Sequence, residues 1–207
     1  MNSYLKIVAE FEKRVGLPKG FFDSLLSEND WSFVIKTHAL VEACLVNAIC
    51  SKLGRSELES VVARLETANK QSGKLAFAEK LGIVNRTQRR FIVALSELRN
   101  QLVHNARATG FTFEEYWAGL SEDRHFQICV ALAMAEEPYR PAEPNEIKLI
   151  SLVNEVPKVG IGFATALVLT DLYSHALEGD LDVAVRDFGS SLMAHVSSAY
   201  CEAKNAL

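Results

Sequence analysis

The chain has 207 residues, 49% of them apolar and 23% charged, which suits one domain able to bury a core without staples and excludes disorder as its general state. A net charge of −4, with a pI near 5.8, excludes the global basic footprint by which proteins hold long nucleic acids through their phosphates.

In chain order, the signals are helical. Residues 3–15 place Tyr4, Ile7, Val8 and Phe11 on one stripe of an amphipathic helix. Gly16 closes it, and its charges leave no apolar core for a secretion signal. Pro18 opens a short helix over residues 21–26. Asn29 or Asp30 then caps a long helix from Trp31 to about Leu53, stopped by Gly54. That helix is apolar on most faces, which predicts a central, buried position. Ser56-Glu57-Leu58-Glu59 reads as a capping box for a helix to about Thr67. A polar stretch, 68–73, leads into a short helix from Lys74 ended by Gly82.

Asn85 or Thr87 caps the next long helix, which ends near His104. Thr112-Phe113-Glu114-Glu115 is a second capping box, for a helix to Leu120, and Ser121 starts another that reaches about Glu137. Residues 138–144 hold three of the five prolines and form the one clear linker. Beyond it, helices are expected over 146–156 and 158–179, separated near Pro157, with a last helix starting near Asp180. The uncharged stretch Val159–Thr170 is shorter than the roughly 20 residues that span a bilayer, and its Ala, Leu and Phe content favours helix over strand. The expected fold is an all-α multi-helix bundle, one domain over 1–207. Its core covers about 29–137, and a C-terminal helical layer covers about 144–205.

The residues best able to carry chemistry are Arg99, Asn100 and His104. Asn100 and His104 are i, i+4 neighbours on one helix face. Arg99 and His104, five apart, diverge by roughly 140° in an unbroken helix and converge only where the last turn frays. Together they offer a neutral-pH proton carrier, a fixed cation and an amide. The plainer reading is a His and an Arg drawn to a helix C-terminus by its dipole and its unpaired carbonyls.

The pair of helices that starts at Lys74-Leu75-Ala76-Phe77-Ala78 and ends in Arg99-Asn100-Gln101-Leu102-Val103-His104 resembles the signature of HEPN-type helical domains. Among these it is most similar to the mannitol operon repressor family. The likeness covers about residues 29–135 and includes the upstream apolar helix with an embedded Glu42. The resemblance implies a HEPN-like core and a homodimer. For the repressor branch it implies regulation through an unidentified protein partner rather than direct DNA binding. For HEPN ribonucleases it implies metal-independent RNA cleavage to a 2′,3′-cyclic phosphate. In that alternative His104 would act as general acid or base, Arg99 would stabilise the phosphorane and Asn100 would orient the phosphate. Glu42 would hold the Arg99 guanidinium. On this reading Arg99 should be largely buried on Glu42 or on helix-terminal carbonyls, and its loss should cost on the order of 3–5 kcal/mol.

Other candidates carry less. Arg86, Arg89 and Arg90 form a small basic patch, the best local phosphate-binding candidate. His38 and Glu42 could supply half a metal site, but HExxH is absent and no third ligand is evident, so neither metal nor cofactor is expected. Gly160-Ile161-Gly162 follows no strand and lacks the lysine of a phosphate loop, so it reads as helix packing. Ser190 and Ser191 lack a GxSxG setting. Cys44, Cys50, Cys129 and Cys201 contain no CxxC pair and read as buried hydrophobes of a reducing compartment. The expected location is the cytoplasm, away from membrane.

Overall fold

The computed structural model describes residues 10, 12–13, 16–69, 71–104, 109–136 and 144–205. Most of the expected helix 3–15, the linker prolines Pro138 and Pro141, and the Cys201 side chain lie outside the described residues. The described residues form nine α-helices and no strand, the all-α architecture that the pattern predicts.

The helices are α1 (Phe21–Leu25), α2 (Asp30–Leu53), α3 (Glu59–Val62), α4 (Lys74–Lys80), α5 (Arg86–Val103), α6 (Phe113–Ala118), α7 (Glu122–Leu132), α8 (Pro144–Glu155) and α9 (Pro157–Asn205). Helix α2 is the axis. Its Phe33, Val34, Leu45, Ala48 and Ile49 are wholly inaccessible to solvent. It packs on α9 along one side and on α5, α4 and α3 along the others. Contacts of α5 with α7, α7 with α8, and α8 with α9 then close a ring of helices. By length and mean hydropathy α2 could cross a membrane, but 67% of its apolar window is buried inside this bundle.

Local chemistry sets the boundaries. The Asn29 side chain accepts from Ser32 N and caps α2, while Gly54, at φ 63°, ends it in the left-handed conformation that glycine adopts without strain. Asp30 is thereby freed for long-range work. Its carboxylate accepts from Phe113 N at 2.9 Å and lies 3.4 Å from Lys158 Nζ, tying the start of α2 to α6 and α9. Lys158 also donates to the Glu28 carbonyl at 2.8 Å. Phe113 packs edge-on to Phe33 and Phe111. Asn85 with Gln88 forms a full capping box for α5, and Thr112 and Ser121 cap α6 and α7 through their hydroxyls.

Three boundaries differ from expectation, the first being that α7 ends at Leu132 and not near Glu137. Residues 56–67 do not form one helix: a 3₁₀ turn, Ser56–Leu58, leads into the single turn of α3, and no side chain caps either. Thr67 instead turns its hydroxyl onto Glu42. More consequential, no break occurs near Asp180, and α9 runs unbroken for 49 residues. Gly179 is there for packing and not as a stop. A Cβ at that position would lie 2.4 Å from the Ser51 carbonyl carbon and oxygen, so only glycine lets α9 approach the α2 backbone. Gly160 plays the same part against Val153 of α8, which confirms the packing reading of Gly160-Ile161-Gly162.

These contacts generate a paired prediction. Gly179→Ala should destabilise the fold by about 1–3 kcal/mol through overpacking against immovable backbone. Gly189→Ala has nothing within 4 Å and should be neutral or stabilising by up to ~1 kcal/mol from helix propensity. Urea denaturation of the two variants beside the parent checks both signs.

Candidate functional site

The polar side chains fall into two groups along α2 and α5. The first is interior. Lys74, at the N-terminus of α4, follows the apolar stripe of Leu75 and Ala78 into the core and is only 1% exposed. Its ammonium is held 2.5 Å from Glu42 Oε1 and donates to the Leu65 carbonyl at 2.6 Å. Thr67 Oγ1 donates to the same Glu42 oxygen at 2.6 Å. Gly73, which caps α4, admits no Cβ because the Glu66 and Asn69 carbonyls come within 2.5 Å of where it would sit. Burial works to raise the Glu42 carboxyl, but the Lys74 and Thr67 bonds outweigh it and hold the pKa below the ordinary value.

His38 completes this group. Ser96 Oγ donates to the Ile92 carbonyl at 2.7 Å and so uses its one proton. The 3.0 Å contact between His38 Nε2 and Ser96 Oγ is therefore an Nε2–H donation to the hydroxyl. Nδ1 then carries the lone pair, 3.9 Å from Glu42 Oε2. Burial, with further repulsion from Arg99 and Lys74, pushes the His38 pKa down against the pull of Glu42, so the imidazole is held neutral.

The second group lies on the surface. Arg99 is half-buried and Asn100 and His104 are exposed. The Arg99 guanidinium donates to Asn100 Oδ1 at 3.0 Å. His104 is the C-cap of α5, its N–H directed to the Asn100 carbonyl. The structure thus corrects the expected Glu42–Arg99 pair. Glu42 is taken by Lys74 and Thr67, and Arg99 makes its hydrogen bond to its neighbour's amide instead of a buried carboxylate. The cost assigned to losing Arg99 falls instead, in smaller measure, on Lys74. Lys74 was legible as the head of its helix, but its role was not. The signal was a lysine on an apolar stripe, which requires an acid within reach, and α2 offers Glu42 at its half-buried edge.

The basic patch is split. Arg86 is exposed on the first turn of α5, and Arg89 Nε lies 3.4 Å from Glu79. Arg89 and Arg90 line a groove of about 200 Å³ between α5 and α7 together with Arg124, a residue the sequence reading did not single out. Arg124 faces Glu97 at 3.6 Å. Among the described residues no group of three or more His, Cys, Asp or Glu side chains is placed to hold a metal ion. Cys44, Cys50 and Cys129 are free and buried. Burial raises the Cys44 thiol well above its ordinary value and pushes Cys129 up to about 11, which leaves both poor nucleophiles.

No protein-family model matches this chain, and no curated protein or solved structure matches it either.

Two outcomes follow from the interior group. Lys74→Met should destabilise by about 1–3 kcal/mol, because it leaves the one-third-exposed Glu42 carboxylate without its cation, and adding Glu42→Gln should recover a large part of the loss. A double-mutant cycle in guanidinium measures this. The neutral His38 sets a pH slope. Its folded pKa lies below the 6.5 of the free side chain, so the unfolded chain binds the proton more readily. Stability contributed by His38 is complete above pH 6.5 and is lost as pH falls below it. Denaturation midpoints between pH 7.5 and 5 should fall for the parent and fall less for His38→Gln.

Proposed function

We propose that this chain is a regulatory interaction protein of the cytoplasm, similar in role to the mannitol operon repressors. It works through protein partners as a homodimer, binds no DNA directly and changes no substrate chemically. The observation that carries this reading is the outward face of α9, where large apolar side chains from Phe163 to Met193 stand in solvent, Leu181 65% and Phe188 71% exposed. An exposed apolar row of this kind, interrupted at Thr170 and Ser174, marks a surface that another protein covers. The Arg99, Asn100 and His104 cluster supports the same role: the Arg99–Asn100 bond fixes the end of α5, and His104 caps it.

One observation favours the alternative, a metal-independent endoribonuclease. Arg99, Asn100 and His104 all reach the surface within two turns of one helix end, and the Arg99 hydrogen bond goes to the Asn100 amide, not to a carboxylate. Two copies of such an end, brought together in a dimer, would present paired cations and imidazoles to a phosphodiester.

Purified parent and His104→Ala, incubated with total RNA in EDTA, separate the readings. The regulator leaves RNA intact in both lanes at concentrations well above any contaminant. Cleavage by the parent alone, leaving 2′,3′-cyclic phosphate ends, would overturn the proposal in favour of the nuclease.

A further inference from the structure

Helix α9 has two apolar faces and the bundle uses one. Ile161, Ala164, Val168, Leu172 and Ala176 are buried against their neighbours. At about 100° per residue, the exposed stripe from Phe163 through Leu177 to Leu192 falls on the opposite side, within an arc of roughly 80°. Among the described residues the support beneath α9 also runs out. Helix α2 ends at Leu53, and the last contact there brings Val183 and Arg186 over Gly54. From Asp187 to Asn205 the helix continues for roughly 28 Å. This part contains Gly189, Ser190, Ser191, Ser197 and Ser198, which are weak helix formers. A solitary helix of such length is marginal in water.

The stripe is its own complement when reversed. Set antiparallel to a copy of itself about a point between Arg186 and Asp187, Leu181 lies opposite Leu192 and Val185 opposite Phe188. Ala184 then faces Gly189, so no bulky side chain flanks the centre of the seam. The charges favour this direction over a parallel one, although Asp171 comes opposite Glu202. Glu178 comes opposite His195 and Asp182 opposite Ser191, whereas a parallel pairing in register would set Glu178 against Glu178 and Asp182 against Asp182.

We infer that the outward face of α9 is covered by a second copy of this chain, through antiparallel pairing of the two α9 helices centred between Arg186 and Asp187. In this register residues 168–205 of each copy overlap. That is a seam roughly 57 Å long and 10 Å wide, or about 1,100 Å² over both copies, enough for a specific interface of roughly 1,000 Å². Because the pairing is isologous it closes at two copies. The inference deepens the interaction reading by naming the occupant of its surface. RNA cleavage would remove that reading without moving the measurements below.

Sedimentation equilibrium of the full chain at micromolar concentration should give twice the 22.9 kDa protomer mass. Phe188→Glu should give the protomer mass while keeping the parent's cooperative thermal transition, because Phe188 is 71% exposed within the protomer. Direction is read from disulfides in a Cys201→Ser background. A mixture of Leu181→Cys and Leu192→Cys chains should cross-link under mild oxidation, and neither variant alone should. A parent that sediments at protomer mass, a dimer indifferent to Phe188→Glu, or Leu181→Cys chains that cross-link with one another would each overturn the inference.

Discussion

Helix α2 needs cover over most of its circumference, and the rest of the bundle supplies it while leaving the edge at Ala39 and Ala43 in solvent. A helix apolar on most faces cannot stand alone in water, so α9, α5, α4 and α3 pack against it in turn. Covering it closely is a matter of backbone as much as of side chains. Gly179 brings α9 onto Ser51, and Gly160 brings α8 onto α9. The polar ends are tied with equal economy, since Asp30 and Lys158 join the first turn of α2 to α6 and to α9.

Polar groups inside such a bundle have to satisfy one another. Lys74, Glu42 and Thr67 do so, and His38 with Ser96 and the Ile92 carbonyl continues the set toward α5. This arrangement separates what a catalytic reading would join. The acid on α2 is committed to a structural lysine, and the arginine on α5 is left at the surface beside an amide. The two faces of α5 therefore divide between holding the core and meeting the exterior.

The sequence showed the helical class, the central place of α2 and the caps at Thr112 and Ser121, and narrowed two others to Asn29 or Asp30 and Asn85 or Thr87, because these depend on neighbours within a turn. It misled where a residue serves a distant element. Gly179 has the look of a helix stop, and its purpose is visible only with Ser51 beside it. Ser56 has the spacing of a capping box, but the chain tightens into a 3₁₀ turn there and Thr67 is drawn to Glu42. The Arg99–Glu42 pair failed for a related reason. Periodicity put a carboxylate on the right face of α2 but could not say which of two cations, separated by 25 positions in the chain, would reach it first. Arg124 escaped notice because its place beside Arg89 and Arg90 comes from the α5–α7 packing alone.

The order in which the chain is made has its own bearing on α2. The Glu28 carbonyl and Lys158 are 130 positions apart, and α9, the principal cover of α2, begins only at Pro157. At a synthesis rate of roughly 5–20 residues per second, the most apolar helix of the protein waits on the order of 6–26 s for its main partner to be made. During that interval it is an apolar segment on a tethered nascent chain, covered by no more than α3, α4 and α5 can offer.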